Sequence, residues 1–232
     1  AIPWGIDYAS VVVGVLTGAM FGCRSKLDVV GTTVAGFLTG FGGGIVRDLL
    51  LGASNIYFMS HPDLILVSLA ICLLTFYFRG VFLDLNRSIL VADTLSVALF
   101  ALAGSSKAFA YGLDPVYVVI LGTITAVGGG ALRDAMAGVT PAIFRGSNFY
   151  AVACLGGSVT FAAMAYFGLP LVAAGFGCVG AVLALRYLSI RFDWKTREYC
   201  DLTPRVVAAA KGASSSSHQP DRLDALPNGR ED

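Results

Sequence analysis

Displaced by 86 residues, the sequence matches itself: positions 7–52 align with 93–138 without a gap, and 16 of the 46 pairs are identical. The identities include rare charged residues, Asp7 with Asp93, Asp28 with Asp114, Arg47 with Arg133 and Asp48 with Asp134. They also include three consecutive glycines, Gly42, Gly43 and Gly44 with Gly128, Gly129 and Gly130, so shared apolar composition does not explain the match. Whatever unit the first copy builds, the second has to build as well.

The medium of that unit follows from composition. Hydrophobic residues make up 56% of the chain, charged residues 13%, and the mean hydropathy is +0.75, well outside the range of water-soluble domains. Apolar stretches recur at 6–23, 28–51, 63–79, 88–110, 115–138, 148–167 and 169–190, separated by short polar breaks. Each is read as a helix crossing ~30 Å of hydrocarbon at ~1.5 Å per residue. The first stretch has no basic leader and no small-residue cleavage site, and is read as a span.

Three spans per copy make an odd number, so the second copy has to enter the membrane upside down relative to the first. The predicted fold is therefore an all-α membrane protein of seven transmembrane helices: two inverted three-helix repeats, 1–87 and 88–168, a seventh helix at 169–191, and a disordered tail at 192–232 rich in serine. Lysine and arginine fix the orientation. Arg24, Lys26, Arg79, Arg87, Arg145, Arg191, Lys195 and Arg197 all fall on one side, and the loops at 53–61, 111–114 and 168–170 carry neither residue. The positive-inside rule then puts the N-terminus outside and the C-terminus in the cytoplasm.

Several function classes drop out. A net charge of +1 and the lack of any recognition motif set nucleic acid aside. The five cysteines, Cys23, Cys72, Cys154, Cys178 and Cys200, show no CxxC spacing and read as small apolar residues. The two histidines, His61 and His218, have no partner at metal-ligand or triad spacing, so neither a metal centre nor an enzyme is expected.

The run GGGxxRD occurs once in each copy and carries the expected chemistry. Three glycines in a row cost ~1 kcal/mol each against alanine inside a helix, which predicts a kink or break whose freed carbonyls face a pathway. Close helix packing through small residues is the competing reading. Arg47, Asp48, Arg133 and Asp134 follow one turn later, at depths where charges are paired, face water or snorkel to the interface. Lys107, beside Ser105 and Ser106, is placed to join Arg47 and Asp48 around an outer vestibule, with Thr39 and Thr125 as further polar lining. Asp7 and Asp93 lie one turn inside their helices, where a capping role competes with a pore role, while Asp28 and Asp114 stand at helix starts and suit capping. Some of the small residues Gly14, Gly18, Gly104 and Ser105 are expected at a contact between protomers.

The paired GGGxxRD motifs, the seven-span pattern and the compact length resemble the prokaryotic branch of the trimeric intracellular cation (TRIC) channel family, over roughly residues 5–190. The resemblance implies a homotrimer with one hydrophilic pore per protomer, permeable to potassium and sodium, in a prokaryotic inner membrane, with spans two and five kinked at 42–44 and 128–130. It implies no cofactor beyond the permeant ion and bound membrane lipid. The basic lipid-binding signature of the animal branch is not found in this sequence. A secondary transporter of a small solute such as an amino acid remains the alternative, because inverted repeats with broken helices are also a transporter design. In the channel reading the basic residues gate or pair with the aspartates, and glycine carbonyls with serine and threonine hydroxyls contact the ion. No TVGYG-like filter is present to discriminate potassium from sodium.

Overall fold

The structure is a computed structural model, and it describes residues 5–80, 86–144 and 149–193. These residues form seven α-helices: α1 (Gly5–Arg24), α2 (Val29–Leu50), α3 (Pro62–Tyr77), α4 (Asn86–Ala110), α5 (Pro115–Met136), α6 (Tyr150–Tyr166) and α7 (Leu171–Arg191). Arg145, Lys195, Arg197, Cys200, His218, the side chain of Arg87 and the tail beyond Asp193 lie outside the described residues.

The helices begin and end where local chemistry dictates. Asp28 caps α2, its carboxylate accepting from the Gly31 N–H at 2.7 Å. Asp114 occupies the same position before α5 but makes no side-chain cap; Pro115 opens that helix instead, and the Asp114 carbonyl accepts from Tyr117 and Val118. Both α2 and α5 end on a glycine with positive φ, Gly52 at +60° and Gly138 at +69°. In each, the next N–H reaches back to an aspartate carbonyl, Ala53 to Asp48 and Val139 to Asp134, both at 3.0 Å.

Five of the seven helices are long and apolar enough to cross a bilayer. Helices α3 and α6, with 16 and 17 residues, are apolar but shorter than the expected spans at 63–79 and 148–167, and reach only about 24–26 Å. Large apolar side chains stand on the outer surface, among them Leu66, Tyr77, Phe167 and Phe176, where lipid is the solvent that accepts them.

Helix α1 packs on α2, and α4 on α5; at the centre α2 crosses α5 and α1 crosses α4. Helix α3 flanks α1 and α2, α6 flanks α5 and α4, and α7 covers α6 and α4. One buried cluster, including Val11, Val15, Phe41 and Leu64, serves the first three helices. A second, including Val118, Phe161, Cys178 and Val182, serves the last four.

The glycine triplets do not break their helices. Helices α2 and α5 run through residues 42–44 and 128–130 without interruption, and the glycines make their crossing possible. A Cβ on Gly43 would run into the Thr125 carbonyl oxygen, and one on Gly129 into the Thr39 carbonyl oxygen. These contacts are reciprocal, since Gly43 and Gly129, and Thr39 and Thr125, are the same positions of the two sequence copies. At Gly43 and Gly129 the helix-propensity cost of glycine is offset by backbone approach at the centre of the bundle.

The small residues of α1 and α4 are likewise used inside the chain, not at a contact between protomers. Gly18 abuts Ala35 and Thr39, Gly104 abuts Gly122 and Thr125, Gly14 lies against Phe100, and Ser105 is fully buried. The register continues into the third helix of each set. Gly36 faces Cys72 and Gly122 faces Ser158, again at an offset of 86.

Candidate functional site

Two clusters of charge cap opposite ends of the α2–α5 crossing. At the first, Arg47 stands in the last turn of α2, where a cation suits the helix dipole. Its Nε donates to Asp48 Oδ1 at 2.8 Å and its Nη1 to Asp7 Oδ1 at 2.7 Å. Lys107 Nζ from α4 donates to the same Asp48 oxygen at 2.7 Å, and the Tyr57 N–H donates to the other at 3.0 Å. Arg47 and Asp48 are 1% and 0% exposed, so each ionised group depends on the others for its stability. The cluster ties α1, α2 and α4 together with two positive and two negative charges. Tyr57 lies outside the helices in a short 3-10 turn; burial, reinforced by the nearby Asp7 and Asp63 carboxylates, pushes its hydroxyl up to about 12 and keeps it neutral.

At the other end Arg133 donates from Nε and Nη2 to Asp134 Oδ1 at 2.9 and 2.7 Å. Asp134 Oδ2 accepts from the Ala142 N–H at 3.1 Å, the counterpart of the Tyr57 bond. Asp93 from α4 pairs at 3.6 Å with Arg186 of α7. The Arg133 guanidinium lies 4.1 Å from the ring centre of Phe21, and that of Arg186 lies 4.8 Å from the ring of Tyr150. This cluster also holds two charges of each sign. Asp7 and Asp93, for which a capping and a pore role both stood open, are ion-pair partners at their respective ends.

The two ends differ in openness. Around Asp93, Gly130, Arg133, Asp134 and Arg24 lies a cavity of about 480 Å³. Beside Asp7, Gly44, Arg47 and Tyr57 lies a pocket of about 10 Å³, roughly one water. Among the described residues, Arg47 Nη2 is buried there without a hydrogen-bond partner.

The remaining residues singled out by sequence divide by this geometry. Within each triplet the first two glycines lie in the α2–α5 contact, Gly42 near Leu132 and Gly128 near the Gly43 backbone. The third glycines, Gly44 and Gly130, meet nothing closer than 3.7 Å and line the two spaces. The Thr39 and Thr125 hydroxyls donate to carbonyls of their own helices, Ala35 at 2.8 Å and Leu121 at 2.6 Å. Ser105 donates to the Val118 carbonyl at 3.4 Å and Ser106 to that of Ala103 at 3.2 Å. Sequence reasoning missed Arg186, Phe21 and Tyr150. Arg186 had one available signal, a cation five residues inside an otherwise apolar run.

Known proteins are similar to this chain in sequence and fold. The sequence family described as Glycine transporter matches residues 5–80 and 90–166. A UPF0126 membrane protein of Deinococcus radiodurans is 33% identical over 187 residues, 80% of this chain and 86% of the relative. The UPF0126 inner membrane protein YadS of Escherichia coli K12 is 31% identical over 196 residues, 84% and 94% of the two chains. Among solved structures, the TRIC trimeric intracellular cation channel orthologue from Rhodobacter sphaeroides superposes with a TM-score of 0.75 at 31% identity, covering 82% of this chain and 97% of that one. A structure solved to explain conductance through TRIC cation channels gives a TM-score of 0.78 at 29% identity, covering 87% and 98%.

Proposed function

Because the chain belongs to the prokaryotic branch of the TRIC channel family, we propose that this integral membrane protein is a channel for monovalent cations, potassium and sodium. Each protomer of a homotrimer carries one pore along the α2–α5 crossing. The observation that carries this reading is the pair of charge-balanced clusters at the two ends of that crossing. A lone guanidinium 4 Å from a permeant cation would oppose it by about 4 kcal/mol at an effective dielectric of 20. With each arginine held against a carboxylate, that barrier largely cancels. Lys107 and Arg47 on Asp48 act as the gate at the closed end, and the pathway is lined by Gly44 and Gly130, the glycines whose faces are open.

The pore is built from two inverted repeats, 1–87 and 88–168, followed by a seventh span. Support comes from the reciprocal Gly43–Thr125 and Gly129–Thr39 contacts and from the matching ends of α2 and α5. All seven helices cross the membrane, α3 and α6 through a locally thinner part. The Arg47 end faces outward, because Arg24 and Arg191 sit at the ends of α1 and α7 on the other side.

A second reading follows from the family description, a glycine transporter. One observation favours it: the 480 Å³ cavity presents Arg24 and Asp93 in one space, a fit to both charges of a zwitterion. Liposomes loaded with radioactive rubidium or glycine separate the two. The channel reading expects fast rubidium efflux that excess unlabelled glycine does not saturate; saturable glycine exchange without rubidium efflux would reverse the assignment.

A further inference from the structure

Among the positions at which the two sequence copies differ, one places a side chain against a charge cluster in each copy. Lys107 and Phe21 are separated by the repeat offset of 86. Lys107 donates to Asp48 at 2.7 Å, whereas Phe21 places its ring 4.1 Å from the Arg133 guanidinium. The surroundings differ accordingly. At the Lys107 end, Arg47 bridges from α2 to Asp7 on α1, and the adjoining space is about 10 Å³. At the Phe21 end, Arg133 pairs only with its chain neighbour Asp134 among the described residues. Asp93, the counterpart of Asp7, lies 3.6 Å from Arg186, and the adjoining space is about 480 Å³.

We infer that Phe21 is a positioning residue: its ring holds Arg133 away from Asp93 and keeps that mouth of the pathway open, while Lys107 at the equivalent position seals the other. The physical argument concerns what each side chain offers a carboxylate cluster. A lysine adds a third ionic link and draws the helices together, which closes the space between them. An aromatic ring offers no donor to a carboxylate. It attracts the guanidinium through its π face, which competes with any bridge from Arg133 to a neighbouring helix. The inference rests on the two ends being the mouths of one pathway, whether the permeant species is a cation or a zwitterion.

Single cysteines at the equivalent positions Gly44 and Gly130 report each mouth. A Cβ at Gly44 meets nothing within 4 Å and one at Gly130 nothing within 3.7 Å, so both reporters fit. The full chain in liposomes is labelled with a membrane-impermeant thiol reagent from each side, against the same chain without a reporter. In the native background Gly130→Cys should react quickly and Gly44→Cys slowly. Lys107→Phe should speed labelling at Gly44→Cys at least tenfold. Phe21→Lys should slow labelling at Gly130→Cys at least tenfold. Phe21→Met keeps apolar bulk but loses the ring face, and should slow Gly130→Cys several-fold by freeing Arg133 to reach Asp93. The Phe21→Met arm also carries the test if the new lysine prevents folding, and the Lys107→Phe arm does not depend on either. Unchanged Gly130→Cys rates in Phe21→Met and Phe21→Lys would overturn the role of Phe21 while leaving the pathway standing. A Gly130→Cys that is unreactive in the native background would overturn both.

Discussion

Replacing Gly43 and Gly44 separately by alanine tests what the triplet does, because these neighbours differ in what a methyl group would meet. At Gly43 the new Cβ runs into the Thr125 carbonyl oxygen, a backbone atom that cannot rotate away. Overpacking of this kind costs about 1–3 kcal/mol, and the rigid obstacle puts Gly43 at the upper end. Alanine returns about 1 kcal/mol of helix propensity, leaving a net loss of about 2 kcal/mol. For a chain of this size that is a fall of about 4–8 °C in melting temperature. At Gly44 nothing lies within 4 Å, so only the propensity gain remains and the melting temperature should rise by about 2–4 °C. Gly129 and Gly130 should repeat the contrast in α5. Thermal unfolding of the four purified variants, followed by loss of monodispersity in mild detergent, provides the measurement. Gly43→Ala at or above the stability of Gly44→Ala would refute the packing account and favour a hinge.

Asp48→Asn should prevent stable folding or sharply lower the yield of monodisperse protein, since Arg47 and Lys107 both lose their shared buried partner and breaking such pairs costs about 3–5 kcal/mol. Asp28→Ala should cost about 1 kcal/mol of stability through the lost cap, whereas Asp114→Ala, whose side chain caps nothing, should cost close to none in the same melting assay. Deleting residues 197–232 should leave assembly and ion flux intact, because every described helix belongs to the unit ending at Thr196; loss of either in size-exclusion and efflux measurements would contradict this.

The helices were legible because bilayer-length apolar runs bounded by Asp, Gly and Pro leave little freedom. The structured ends fall within a few residues of those runs, and Asp28, Gly52 and Gly138 mark them as local rules require. The association of Lys107 with Asp48 was legible from depth along the helix, since buried charges need partners. A break at the triplets is not what forms, because propensity counts only the cost of glycine to its own helix, and the packing alternative draws on a contact between α2 and α5, separated by 86 residues of sequence. For the same reason Gly14, Gly18 and Gly104 were assigned to a surface between protomers: a small-residue face has no address until the partner helix is known. Arg186 and Phe21 escaped notice because neither belongs to a repeated motif, and their significance comes from the side chains they meet, Asp93 and Arg133.

Single-channel recording on the purified protein in a planar bilayer tests the central claim most directly. With a tenfold gradient of potassium chloride, the account predicts discrete unitary currents whose reversal potential lies close to the cation limit of about 59 mV. Replacing potassium by sodium on one side should shift that potential only slightly, as expected without a dedicated filter. Silent bilayers from protein that takes up glycine saturably, or currents reversing at the chloride limit, would contradict it.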